Sequence, residues 1–305
     1  MRDLRIIFMG TPDFAVPSLQ YLVDNGYEVV AVITAPDKPR GRGQQITPSP
    51  VKNYAESVEI PVLQPTNLKS PEFIEELRSY KANLQVVVAF RMLPEMVWDM
   101  PEFGTFNLHA SLLPQYRGAA PINWAIINGE SVTGVTTFFI RHAIDTGSII
   151  LQNEELIKPD DTAGTLHDRL MEGGGRIVLE TVRLIEKEEE NPTPQDMSVE
   201  IKNAPKIFKE DCEIDWNRPS EEVRNFIRGL SPYPAAWTRI DDQIFKIYEA
   251  EYGNIDCDIQ PGHIETDNQT HITIGTINGT LSVKGIQAPG KKRMETVDFL
   301  RGNNL

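Results

Sequence analysis

Cysteine is scarce in this 305-residue chain: Cys212 and Cys257 are the only two, and neither stands in a metal-ligand spacing. Neither a disulfide framework nor a metal site is expected, and a cytoplasmic protein is the simplest reading. Long apolar runs are absent too. No stretch approaches about eighteen uninterrupted apolar residues, so no membrane-spanning helix is expected. The short run before Gly10-Thr11-Pro12 is too brief for a signal peptide and reads as a first strand. Glycine is missing where a nucleotide site needs it. That first strand opens a turn in the position of a dinucleotide fingerprint but lacks its second and third glycines, and Pro12 removes an N–H, so NAD is not expected. No phosphate-cradling Gly-Lys-Ser/Thr sequence appears either, which weighs against direct nucleotide hydrolysis. Basic charge is also short, with 30 Lys and Arg against 44 Asp and Glu and a net charge of −14. On average this opposes a polyanionic partner. Locally it does not: Lys38, Arg40, Arg42 and Lys52 face Asp37 alone between residues 34 and 54, and Lys291-Lys292-Arg293 stand together.

What is present is alternation. Short β-branched runs at 5–9, 28–34, 61–63, 84–90 and Thr105–His109 are separated by helical patterns, among them 17–25, stopped by Gly26, and 71–80, with Phe73, Ile74 and Leu77 at helical spacing. Strand and helix in turn predict a Rossmann-like, mostly parallel α/β sheet with crossover helices. Further helices are predicted over 121–128 and 162–185, where glycines at 173, 174 and 175 signal close packing. The charged, proline-punctuated stretch 186–195 is the candidate boundary. The expected organisation is a catalytic domain over 1–189, a linker over 190–205 and a second domain over 206–305. One helix near 220–228 and strand-like runs at 236–240, 243–248, 271–274 and 280–286 predict a small OB-like β-barrel there.

Asn107 and His109 close the fifth strand-like run, and alternation points both to one face with Leu108 on the other. Carboxyl ends of strands are where open α/β sheets bind ligands. An amide beside an imidazole suits a developing oxyanion. It equally suits a hydrogen-bonded structural pair at a strand end. The remaining histidines, His142, His167, His263 and His271, sit in no ligand spacing, and surface or structural roles are expected for them.

The residues that follow decide between these readings. Asn107-Leu108-His109-x-Ser111-Leu112-Leu113-Pro114, then Tyr116-Arg117-Gly118 and Pro121-x-x-Trp124-Ala125, resemble the signature of enzymes that use 10-formyltetrahydrofolate, and Ile144-Asp145-Thr146-Gly147 resembles its second half. The resemblance implies formyl transfer, with Asn107 and His109 stabilising the tetrahedral oxyanion and Asp145 orienting His109 and helping to move protons. No metal, redox cofactor or covalent nucleophile is required for that chemistry. It also implies folate contacts at Ser111, Leu112, Leu113 and Pro114, and around the pteridine ring at Arg91, Met92 and Leu93. Ser111 itself reads as a turn or capping residue and not as a nucleophile.

The acceptor rests on other segments. The long loop over 35–52, with Gly41-Arg42-Gly43 at its core, resembles the insertion by which methionyl-tRNA formyltransferases enter the acceptor arm of initiator tRNA, and 204–211, 214–216 and 290–294 resemble the same family. This implies charged initiator tRNA as partner, contacted by Lys38, Arg40, Gly41, Arg42, Gly43, Lys206, Lys291 and Lys292; a monomer is expected, although no feature of the sequence sets the oligomeric state. Formylation of an aminosugar nucleotide by the same active site is the alternative. Gln44-Gln45 and Gln115 stand where relatives often carry basic residues, and Arg141-His142-Ala143-Ile144 also departs from the family pattern. Fewer cations predict weaker or more salt-sensitive tRNA binding, or compensation from the small barrel.

Overall fold

Burial on both faces marks the first strand as central: in β1 (Arg5–Gly10) every residue from Ile6 onward is buried. A strand covered by helices on both sides has no solvent face to keep polar. The computed structural model describes residues 1–40, 45–253, 259–303 and 305, so the loop core Gly41-Arg42-Gly43, Gln44 and Cys257 lie outside the described residues. With β2 (Glu28–Ile33), β3 (Val62–Leu63), β4 (Leu84–Val88), β5 (Thr105–His109), β6 (Val132–Phe139) and β7 (Ile149–Leu156), β1 forms a seven-stranded sheet in the order β7-β6-β5-β4-β1-β2-β3. The pairs from β3 through to β5 are parallel, and β6 runs antiparallel to β5. The mostly parallel α/β sheet is thus as expected, and antiparallel β6 is an addition to it. The chain fills one side of β1 with β2 and β3, then crosses to β4 and β5. Strand order therefore reverses between β1 and β4, the place where such sheets collect ligands beyond the strand carboxyl ends.

The helix Ala163–Lys187 lies behind the strand that carries Asn107 and His109. A Cβ on Gly174 would stand 2.7 Å from a terminal methyl of Leu108, and one on Gly175 would stand 2.7 Å from the Tyr21 ring and 3.1 Å from the Pro17 backbone. Gly173 has nothing within 4 Å. Close packing therefore accounts for two of the three glycines.

Contacts gather the chain into two compact units, one of Met1–Arg117, Gly134–Glu155 and Asp168–Lys202, the other of Gly118–Thr133, Leu156–His167 and Asn203–Leu305. The division is interleaved where a sequential one was expected. Within the second unit the helix Pro121–Ile127 meets the helix Ser220–Leu230: the Asn123 side-chain amide donates to the Gly229 carbonyl at 2.7 Å. The Trp124 indole N–H donates to the Pro205 carbonyl at 2.8 Å. The signature residues Pro121 and Trp124 thus build the second unit. Part of the stretch expected as linker belongs to the first unit, where Thr193 pairs with Ile149 through reciprocal hydrogen bonds of 2.8 and 2.9 Å.

The second unit carries β8 (Ala236–Ile240), β9 (Gln243–Tyr252), β10 (Ile264–Thr266), β11 (Ile272–Thr276), β12 (Gly279–Gln287) and β13 (Met294–Glu295). They pair antiparallel in the order β8-β9-β12-β11-β10, with β13 beside β12. Register shifts near Glu249 bend β9, as bulges do, and the sheet curls into a half-barrel. Val223, Ile227 and Leu230 of the helix close one core with Phe245, Ile247, Ile274, Leu281 and Ile286.

Candidate active site

The last residues of β5 place the expected pair where alternation puts it. Asn107 pairs with Val87 of β4 on one side and Phe138 of β6 on the other, and His109 pairs with Thr136. Backbone pairing on both flanks of Asn107, and on the β6 side of His109, fixes the directions of the two side chains. The Asn107 carboxamide is partly exposed and makes no hydrogen bond to any described residue, which leaves its two N–H donors available. His109 is buried, and its Nδ1 lies 3.8 Å from Oδ2 of Asp145, beyond hydrogen-bond range but within reach of an ion pair. Its Nε2 lies 2.8 Å from the Tyr116 carbonyl. A carbonyl only accepts, so Nε2 carries the hydrogen, and in the neutral ring Nδ1 is the basic nitrogen, on the Asp145 side. The imidazole is thus oriented chiefly by Tyr116, a residue outside the expected set, and only loosely by Asp145.

Asp145 adopts a left-handed backbone, with φ of 54°. Two residues later Gly147 passes so close to the end of β6 that a Cβ there would overlap the Phe139 carbonyl oxygen, at 1.6 Å. The turn is held from outside by Gln195, whose side-chain amide donates to the carbonyls of Asp145 (2.8 Å) and Gly147 (2.9 Å) and accepts from Nε (3.1 Å) and Nη2 (2.5 Å) of Arg117. Nothing in the spacing of Gln195, in a proline-flanked polar stretch, signals this role.

Several of the residues expected to contact folate are committed inside the protein. The Ser111 hydroxyl donates to the Gln115 carbonyl at 2.6 Å, the turn role expected for it. Leu113 is buried; its N–H donates to the Thr136 hydroxyl at 3.2 Å and its carbonyl accepts from Gln152 at 2.9 Å. Leu112 and Pro114 are half-buried. Arg91 donates to the carbonyls of Pro65 and of Thr66, the latter at 3.1 Å, and partial burial lowers its pKa. Leu93 is packed in the core, whereas Met92 is 73% exposed.

The basic candidates divide likewise. Lys52 is spent on Asp37 at 2.6 Å, a hydrogen bond that holds the Asp37 carboxyl below the usual carboxylate range and raises the Lys52 pKa. Lys38 is exposed at the start of a short hairpin, Lys38–Arg40 with Gln45–Thr47. Lys206 is exposed with its ammonium 5.0 Å from the centre of the Phe208 ring. Lys291 and Lys292 are exposed and form no ion pair with a described residue, while Arg293 stands over the Tyr248 ring and 3.6 Å from Glu249. Gln115 binds backbone, donating to the Glu200 carbonyl and accepting from the Lys202 N–H, both at 2.9 Å. In the divergent segment before Asp145, His142 pairs with Glu95 at 3.2 Å and meets the Trp98 ring edge-on. Among the described residues, no group of three or more His, Cys, Asp or Glu could hold a metal ion, and no helix is long and apolar enough to cross a membrane.

An imidazole whose basic nitrogen faces a carboxylate, with an amide at the same strand end that no described residue engages, is an arrangement compatible with acyl transfer at a carbonyl carbon. The chain belongs to the formyl transferase family: residues 4–182 match the formyl transferase model and residues 206–304 match the formyl transferase C-terminal domain. It is 55% identical over 311 residues to the methionyl-tRNA formyltransferase of Bacteroides fragilis, covering 99% of this chain and 96% of the relative. To that of Parabacteroides distasonis it is 54% identical, covering 98% and 96%. Among solved structures it shares the fold of HypX from Aquifex aeolicus in complex with tetrahydrofolic acid, with a TM-score of 0.67 at 19% identity, over 98% of this chain and 47% of that one. The sugar 3N-formyl transferase WlaRD superposes with the same TM-score at 21% identity, over 96% of this chain and 100% of that one.

Proposed function

We propose that the protein transfers the formyl group of 10-formyltetrahydrofolate to the α-amino group of methionyl initiator tRNA, as a cytoplasmic monomer. The observation that carries the chemistry is the approach of Nδ1 of His109 to Asp145, at 3.8 Å, with Asn107 two residues before His109 on the same strand. The amine nitrogen attacks the formyl carbon, and the carbonyl electron pair moves onto oxygen. Asn107 donates to that oxyanion. The amine proton passes to Nδ1, and the Asp145 carboxylate stabilises the imidazolium so formed. As the oxyanion collapses, the bond from the formyl carbon to N10 of the folate breaks, and N10 takes the proton from Nδ1 of the imidazolium, so that tetrahydrofolate leaves and His109 returns to its neutral form. In this scheme His109 is the proton carrier and Asn107 the oxyanion donor, because the Nε2 hydrogen is already engaged by Tyr116.

The choice of acceptor rests on the nearly full-length likeness to methionyl-tRNA formyltransferases. Lys38 at the long loop and the exposed Lys206, Lys291 and Lys292 of the second unit supply the phosphate contacts in this reading. The test offers 10-formyltetrahydrofolate with charged initiator tRNA, charged elongator tRNA, an aminosugar nucleotide, or water alone, and follows the formyl group. Formyl-methionine on the initiator is the expected product. Formylation of the sugar and not of the initiator overturns the choice of acceptor, and no transfer to any acceptor overturns the chemistry.

A further inference from the structure

We infer that Gln195, with Arg117 behind it, is a positioning residue that sets the place of Asp145 in the formyl-transfer site, a role that rests on the function proposed for that site. Gln195 is 7% exposed, and every strong hydrogen-bonding position of its side-chain amide is in use. Both N–H donors go to the 145–147 turn, and the oxygen takes two donors from Arg117. A guanidinium only donates, so Arg117 fixes which end of the amide is oxygen and thereby aims the N–H groups at the turn. The segment is anchored two residues earlier, where Thr193 pairs with Ile149 at the start of β7.

The turn needs such a tie. Asp145 carries a Cβ in a left-handed backbone conformation, which persists only where the surroundings over-determine it. Gly147 is pressed against the end of β6, so the turn cannot relax inward. Within the turn the Thr146 hydroxyl donates to the Ala143 carbonyl at 2.9 Å, but the carbonyls of Asp145 and Gly147 converge on one external group, the Gln195 amide. With that amide removed, the two carbonyls separate and the Asp145 carboxylate shifts relative to His109. Misplacement of a reacting group by about 1 Å can cost on the order of 100-fold in rate.

The experiment compares Gln195→Ala and Gln195→Met with the unmodified enzyme, alone and on an Asp145→Asn background. Expected is a fall in kcat of about 10- to 100-fold with KM for formyl donor and tRNA changed by less than about 3-fold. On the Asp145→Asn background the same substitutions should change kcat by less than about 2-fold, because the residue they act through is already disabled. A general loss of structure has no reason to vanish there. Hydrogen exchange at the amides of Ile149 and Phe139, which donate to the Thr193 and Ser148 carbonyls beside the turn, should rise in both variants, a readout independent of turnover. Equal losses with and without Asp145, an effect confined to KM, or unchanged kcat with unchanged exchange each overturn the inference. If both variants fail to fold, Arg117→Lys replaces them and is expected to show a smaller kcat loss under the same criteria. An unmodified enzyme without formyl transfer refutes the proposed function instead, and the exchange measurement then decides the role of Gln195 in holding the turn.

Discussion

Three consecutive glycines in one helix set up a graded stability test. Gly173, Gly174 and Gly175 lie inside Ala163–Lys187, and replacing glycine by alanine in a helix interior gains about 1 kcal/mol of intrinsic propensity. At Gly173 the added methyl meets nothing within 4 Å, so Gly173→Ala should stabilise by about 0.5–1 kcal/mol. At Gly174 it meets a terminal methyl of Leu108 at 2.7 Å. Overpacking costs about 1–3 kcal/mol, but a leucine methyl can swing aside, so the net change should lie between zero and a loss of about 1 kcal/mol. At Gly175 the neighbours are a ring and the Pro17 backbone carbon, at 2.7 and 3.1 Å. Neither yields cheaply, and a net loss of about 1–2 kcal/mol is expected after the propensity gain. Thermal unfolding followed by circular dichroism reads this as an order, Gly173→Ala highest and Gly175→Ala lowest, with about 2–4 °C per kcal/mol. Equal shifts in all three variants, or destabilisation by Gly173→Ala, would refute the packing explanation. Leu108 sits between Asn107 and His109, so Gly174→Ala should also lower kcat, while Gly173→Ala should not.

Asn107→Ala, His109→Ala and Asp145→Asn should each lower kcat, by about 10²–10³-fold for the oxyanion donor, with tRNA affinity changed only a few-fold; loss of binding at normal turnover contradicts these roles. Charge reversal at Lys38 and Lys291 together should weaken initiator tRNA binding and lower the slope of log affinity against log salt by about 2 or more, measured by filter binding at several salt concentrations. An unchanged slope removes both from the interface. For Asp37, whose carboxyl pKa is lowered by Lys52 and then Gln64 from its ordinary 3.8, the stabilising contribution is fully present above that value. It disappears as pH falls through the lower folded-state value. Lys52, raised above its ordinary 10.5 by Asp37, contributes fully below 10.5 and loses its contribution as pH rises through its raised value. The stability difference between the unmodified protein and Asp37→Asn should therefore be flat near neutrality and shrink below about pH 4. A difference that persists unchanged at about pH 3 breaks the assignment.

Periodicity and punctuation in the sequence were enough to indicate the parallel strands. The runs ending at Met9, Leu63 and His109 are short, β-branched or apolar, and separated by helical spacing, and all lie in the sheet. The antiparallel strand Val132–Phe139 was not legible, because Gly134 and three threonines blur its pattern. Asn107 and His109 were legible through alternation at a strand end, and Asp145 through resemblance alone. Tyr116 and Gln195 were not, because one contributes a backbone carbonyl and the other binds carbonyls 48 and 50 residues away. A side chain that recognises backbone leaves no complementary residue type at the far end, and hence no spacing to read. Gln115 illustrates the converse: a residue that looks like a missing cation for tRNA is a backbone clamp on residues 200–202.

The interleaving of the two units bears on how the protein can be taken apart or recombined. A cut after residue 205 removes the helix Ser220–Leu230 but retains Pro121–Ile127, whose Asn123 and Trp124 bond Gly229 and Pro205. The retained piece then exposes the face of Pro121–Ile127 that met the deleted helix. Loss of activity on such a truncation does not measure the contribution of a tRNA-binding module. Chimeras between relatives should exchange residues 118–133, 156–167 and 203–305 together, so that three separate stretches of sequence behave as one inheritable piece.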